Sequence, residues 1–238
     1  MALSYEPLDV ESYEIRMLTI LPAAHDSILQ CTLEKTSLIS PIKYVALSYC
    51  WGDPNITTKI LVNDIEILVT VNLADALQQL RLLGVTRVWA DALCINQVDL
   101  AEKKQQVQKM FRIYRKAESV LVWLGDETTE STRALATLHS DYANEVLRRE
   151  SEAEAGSMGH TTSEDITDEV TPDGNPIPEA WFATVEPDDP VRTTMIRALT
   201  DLCCRDWVRR VWIQQEVFAA REVQILCGSQ TLLSLIHI

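Results

Sequence analysis

"YVALSYCWGD", residues 44–53, decides how this chain is read. The run is short and almost wholly apolar, and it ends in Gly52, Asp53, Pro54 and Asn55. A run of that length closed by turn residues reads as a buried strand entering a turn. The segments on either side then have to supply what covers it.

Toward the N-terminus, "YEIRMLTILPA" and "ILQCTLEKTS" alternate apolar and polar residues around Pro22 to Ser27 and predict a hairpin. Toward the C-terminus, "KILVNDIEILVT" (59–70) has two β-rich halves around Asn63-Asp64, a second hairpin. The period then changes. Leu73, Ala76, Leu77, Leu80 and Leu83 recur at helical spacing, with Asn72 as a candidate cap and Gly84 as a terminator. "TRVWADALCI" (86–95) reads as a strand. Asp99, with Glu102 three residues on, marks the start of a helix running to about Ala117. "SVLVWLG" (119–125) reads as another buried strand, and a helix is expected from about Thr128 to Arg149. An amphipathic pattern runs from Val191 to about Arg221, and "EVQILCG" closes as a strand. Strands alternating with helices predict an α/β fold with a mostly parallel sheet flanked by helices, here with an N-terminal β-hairpin extension.

Charge is distributed unevenly. The net charge is −14, yet Glu150 to Val191 alone holds twelve Asp or Glu and no Lys or Arg, leaving −2 for the rest. Residues 151–190 carry little periodicity and read as a flexible, solvated insertion. No basic footprint for nucleic acid is evident. The six cysteines form no Cys-x-x-Cys pair, and the four histidines are scattered without ligand spacing, so reduced thiols, a cytoplasmic location and no metal site are expected. The N-terminus is polar and acidic, unlike a signal peptide, and no apolar run is long enough to span a bilayer. Gly-rich phosphate loops are absent.

In parallel sheets, ligands gather beyond the carboxyl ends of the strands. That draws attention to Ser48, Tyr49 and Trp51, then to Asp91, Asn96 and Gln97, each at a strand end that turns polar. Each has a plain reading too. Ser48 and Tyr49 can bond locally, and Asn96 and Gln97 can tie down a loop. Asp91, inside an apolar strand, needs a partner or a cavity. The third stretch is "RRVWIQQEV" (209–217). Trp212 and Glu216 are four apart and would share one helical face, with Arg209 and Arg210 one turn back. That stretch is either an ordinary amphipathic turn or a carboxylate–indole–arginine site.

"YVALSYCWGD", "VWADALCINQVDLAEKKQQVQKMFRIYRKAESVLVWLG" and "RDWVRRVWIQQEV" resemble, in order, the three signature blocks of the heterokaryon-incompatibility (HET) domain of filamentous fungi. Lys103 stands where many members have Arg. The resemblance divides the chain into a lead-in over 1–43, a HET domain over 44–228 containing the acidic insertion, and a tail over 229–238. It implies an effector of fungal non-self recognition that triggers programmed cell death, and either self-association or a partner incompatibility protein. HET domains also look distantly like Toll/interleukin-receptor (TIR) domains, which implies a TIR- or flavodoxin-like sheet. In NAD-cleaving TIR proteins the Glu four residues after a Trp is catalytic, and that position corresponds to Glu216, with Trp212 as its companion. Substrate binding would then involve Ser48, Tyr49, Trp51, Asp91, Asn96, Gln97, Arg209, Arg210 and Trp212. NAD or NADP would be the substrate, with no cofactor required. The alternative is a non-enzymatic signalling and self-assembly module whose motifs are core and interface. Family members continue past this point, so "TLLSLIHI" reads as the end of a fragment whose last residues need not be native.

Overall fold

The computed structural model describes residues 3–9, 11–23, 27–133, 135–136, 200–202, 204–210 and 213–234. They fall into two compact units. The smaller covers Thr129–Leu202, and its described residues are helical. The expected insertion at 151–190 and the helix beyond residue 136 lie outside the described residues.

The larger unit is built on one sheet. Strands β1 (Glu14–Ile20), β2 (Gln30–Ser37), β3 (Val45–Tyr49), β4 (Thr57–Val62), β5 (Ile65–Thr70), β6 (Arg87–Trp89), β7 (Ser119–Trp123), β8 (Val223–Cys227) and β9 (Gln230–Ser234) lie in the order β5-β4-β2-β1-β6-β3-β7-β8-β9. The helices are α1 (Val71–Leu82), the single turn α2 (Asp91–Cys94), α3 (Leu100–Lys116) and α4 (Ile213–Ala219). Strand β3 lies inside the sheet, parallel to β6 and β7, and β7 lies parallel to β8. All of β7 is buried, and so is β3 after its first residue, as two-sided coverage demands of central parallel strands.

The sheet is mixed, which corrects the expectation of a mostly parallel one. Both hairpins are stitched into it edge to edge. β1 pairs antiparallel with β6, so the N-terminal hairpin continues the sheet and is no appendage. β4–β5 joins through a parallel contact between β2 and β4. At the far edge β8 turns back into antiparallel β9, within the segment read as a tail. Periodicity identifies a strand but does not name its neighbour, and so the hairpin placements were not readable.

The turn at Asn63-Asp64 holds both residues at positive φ, 52° and 60°, the conformation that matches the twist of a two-residue hairpin. Helix α1 packs on β4 and β5 through Leu73, Ala76, Leu77 and Leu80, all buried. Gly84, at φ 74°, follows its end as expected. Asn72 does not cap it. Its side chain donates to the Cys50 carbonyl and accepts from the Trp123 indole, tying the ends of β3 and β7 together. Helix α3 starts as read, with the Asp99 carboxylate accepting from the Ala101 and Glu102 amides. Glu102 itself is diverted to Arg16 in a buried ion pair of 2.6 Å.

Two expectations about secondary structure are corrected. "TRVWADALCI" is not one strand: β6 stops at Trp89 and Asp91 opens α2. The amphipathic pattern up to Arg221 is not one helix either. Arg205 and Arg210 are extended (ψ 142° and 131°), leaving a 3-10 turn at Asp206–Arg209 between them. α4 starts anew at Ile213.

Candidate functional site

The carboxyl end of β3 is where polar side chains gather. Residues 46 and 48 share one face of the strand, and 47 and 49 the other. Ser48 is buried and donates its hydroxyl hydrogen to Glu216 Oε2 of α4. It accepts in turn from the Trp207 indole at 2.7 Å. The Arg210 guanidinium closes on the same carboxylate, at 3.1 Å from Oε1 and 3.4 Å from Oε2. Glu216 is 1% exposed, while the Arg210 side chain is 21% exposed. A carboxylate so far from water needs such partners to stay charged. Burial nonetheless pushes its pKa above the ordinary value, against the pull of Arg210 and Ser48.

A second carboxylate lies nearby. Asp91, at the N-terminus of α2, receives the Trp51 indole N–H at 3.0 and 3.2 Å and the Ala92 amide at 2.8 Å. Burial raises its pKa too, while the Trp51 bond and the Arg210 charge pull it back. Arg210 thus acts on both acids, and Asp91 in turn raises Glu216. The Tyr49 hydroxyl is buried close to Asp91, and its pKa is well above the phenol's ordinary value because of burial first and Asp91 second. Trp51 is 43% exposed, with the Lys103 ammonium 5.9 Å from its ring centre.

Trp207 joins this cluster to a cavity of about 350 Å3 at the ends of β3 and β7. Cys50, Gly52, Asn72, Trp123 and Arg205 contribute to its wall. Arg205 is fixed by its bonds to the carbonyls of Leu124 (2.9 Å) and Asp126 (2.7 Å). Gly52 takes φ 78°, and a Cβ there would come within 3.3 Å of Asn72 Cβ.

Of the residues singled out in the sequence, Ser48, Arg210 and Glu216 meet directly, with Tyr49, Trp51 and Asp91 around them. Arg209 is exposed on the 3-10 turn. Asn96 and Gln97 brace the α2–α3 loop. The Asn96 side chain accepts from Val98 N at 3.3 Å, and the Gln97 amide donates to the Asp91 carbonyl at 2.8 Å. Trp212 lies outside the described residues. The sequence reading missed Trp207, Asn72 and Arg205. Trp207 falls within the amphipathic pattern read from Val191 to Arg221, but an indole also offers a donor, and that is the available signal. Among the described residues no group of three or more His, Cys, Asp or Glu could hold a metal ion, and no helix is long and apolar enough to cross a membrane.

Fold and site together define an α/β domain with an arginine-paired carboxylate at the carboxyl end of its parallel strands. The family model described as heterokaryon incompatibility protein (HET) matches residues 44–216, and the chain belongs to that family. It is also 30% identical, over 235 residues, to heterokaryon incompatibility protein 6, OR allele, of Neurospora crassa. That match covers 91% of this chain, which spans only 33% of the relative's length. No solved structure matches the chain.

Proposed function

We propose that this HET domain is a cytoplasmic effector of heterokaryon incompatibility that kills by cleaving the nicotinamide–ribose bond of NAD or NADP. The observation carrying the reading is Glu216, a carboxylate buried at the ligand end of the sheet and held by Ser48 and Arg210 beside a cavity. As the glycosidic C–N bond breaks, its electron pair leaves with neutral nicotinamide and the ribose becomes cationic. A fixed carboxylate stabilises that cation, and water then adds to it, releasing a proton. The leaving group needs no general acid. Arg210 suits the substrate's pyrophosphate. A pyrophosphate competing for the guanidinium would draw it off Glu216 and expose the carboxylate only when substrate is present. A TIR-like ancestry fits this chemistry.

The test is nicotinamide release from NAD and NADP by purified protein, dilute and crowded, in wild type and Glu216→Ala. Release by wild type, abolished in the variant, is expected. Unchanged release in the variant removes Glu216 from the mechanism, and no release under either condition removes the enzyme.

One observation favours a second reading. Glu216 is 1% exposed and does not line the cavity, as an internal brace would be. The domain would then signal by self-association or by docking a partner incompatibility protein. Concentration-dependent assembly by light scattering, with toxicity retained in Glu216→Ala, is its expected signature.

A further inference from the structure

The opposite end of the sheet carries a cleft of different character. About 390 Å3 in volume, it is lined by Arg112, Arg115, Lys116 and Arg221, with Tyr13, Leu38 and Ile39. The first three cations come from the C-terminal end of α3, just before β7, and Arg221 just precedes β8. β7 and β8 are parallel, so the cleft sits at their amino ends while Glu216 and its cavity sit at the carboxyl ends. Among the described residues no carboxylate lines the cleft.

All four cations are exposed, and among the described residues none has a carboxylate within ion-pair distance. Lys116 donates to the Leu38 carbonyl, and Arg112 lies 5.2 Å from the centre of the Tyr13 ring. The acids next along the chain are engaged elsewhere, Glu118 with Lys43 at 3.1 Å and Glu222 with Gln224 at 2.8 Å. A helix C-terminus attracts cations, but its dipole amounts to only about half a charge. That accounts for a fraction of four, and Arg221 is not on the helix.

Lys109, one turn before Arg112, lies 5.8 Å from the centre of the same Tyr13 ring, but it interacts with the Asp9 carboxylate and adds nothing to the cleft's excess. The net charge of −14 does not cancel this local excess, because at physiological salt charges beyond about 8 Å are largely screened.

The geometry points to a binding site for a compact polyanion of linked phosphates, separate from the Glu216 site. Forked guanidiniums match phosphate oxygens in pairs, and several in one cleft suit adjacent phosphates better than a single one. The 37% exposed Tyr13 and 68% exposed Ile39 offer an apolar rim to whatever group the phosphates carry. Either a free polyphosphate or the headgroup of a polyphosphorylated lipid presents this chemistry.

The experiment is isothermal titration of the full chain with inorganic tripolyphosphate at low and high salt. One-to-one binding that weakens as salt rises is expected. The double variant Arg115→Gln/Arg221→Gln should bind at least about tenfold more weakly, because two of the four cations are gone. Lys59→Gln/Lys104→Gln removes the same charge from exposed positions away from the cleft and should leave binding unchanged. Circular dichroism and thermal melting confirm that both variants fold, as exposed positions allow. Absence of binding, equal weakening in both variants, or equally tight binding of a poly-glutamate peptide overturns the site. Sedimentation with phosphatidylcholine vesicles, with and without bisphosphorylated phosphatidylinositol, separates the sources. Phosphoinositide-dependent pelleting identifies a lipid headgroup, and tripolyphosphate binding without pelleting identifies a soluble ligand.

Discussion

Ser48 and Glu216, 168 residues apart in sequence, are joined by a hydrogen bond inside the domain. The serine hydroxyl works as a relay, since it accepts from Trp207 while donating to the carboxylate. Ser48→Ala therefore leaves the Trp207 indole without its acceptor and takes one donor from Glu216, which keeps only Arg210 among the described residues. Buried polar groups left without partners cost about 1–3 kcal/mol each, so a loss of roughly 2 kcal/mol is expected after partial relaxation. Urea unfolding measures it directly. A change below about 0.5 kcal/mol would mean the relay contributes little to the fold.

The burial of Glu216 makes the stability of this corner depend on pH, and Arg210 opposes it. The Glu216 carboxyl lies above its ordinary value because burial outweighs Arg210 and Ser48. It therefore takes up a proton more readily folded than unfolded. Its contribution is fully present below the unfolded value near 4.5 and is lost as pH rises through the folded one. Arg210→Gln removes an opposing charge and moves the folded value further up. Relative to wild type, the variant should lose roughly 3 kcal/mol near neutrality and converge with it in acid. Unfolding midpoints across pH test this, and a gap that widens in acid would refute it.

The Arg16–Glu102 pair should behave in the opposite sense. Both side chains are buried, at 3% and 9% exposure, and Glu102 also accepts the Asn96 amide at 2.8 Å. Burial opposes the charge of Glu102, but Arg16 and the Asn96 amide outweigh it, and the carboxyl sits below its ordinary value. Its stabilisation is present above the unfolded value near 4.5 and is lost as pH falls through the folded one. Glu102→Gln leaves the Arg16 guanidinium buried beside a neutral amide. A loss of about 3–5 kcal/mol is expected at neutral pH, shrinking in acid. Equal losses at both ends of the pH range would show that packing, not charge, holds this corner.

These two acids show what a sequence can and cannot convey. Glu102 was readable as part of a helix start, and Asp99 does cap that helix, yet nothing local indicates that Glu102 would turn to Arg16, 86 residues away. Strand β3, both hairpins, α1 and α3 were legible because periodicity and turn residues act within a few positions. The breaks at Arg205 and Arg210 were not, since neither Gly nor Pro marks them and the apolar spacing continues across both. Ser48 stands out at a strand end that turns polar, Asp91 as a carboxylate inside an apolar run, and Glu216 by its spacing from Trp212 and by the family resemblance. That they lie close enough for Arg210 to act on both acids follows from the parallel order of β6, β3 and β7, which only the fold supplies.

The hairpin turn at Asn63-Asp64 offers a stabilising change remote from the site. Both residues adopt positive φ, and Asn63 is anchored there, its side-chain oxygen accepting from the Leu33 amide at 2.9 Å. Asp64 has φ 60° and makes no ion pair among the described residues, so its side chain brings strain without a compensating contact. Asp64→Gly creates the Asn-Gly pair that this turn favours. Relief of the left-handed strain outweighs the added freedom of the unfolded chain, and a gain of about 0.5–1 kcal/mol is expected. Asn63→Ala should do the reverse, losing about 1–2 kcal/mol through the same strain and the broken tie to Leu33. Thermal unfolding of the two variants side by side is the check, and a stabilised Asn63→Ala would overturn the account of the turn.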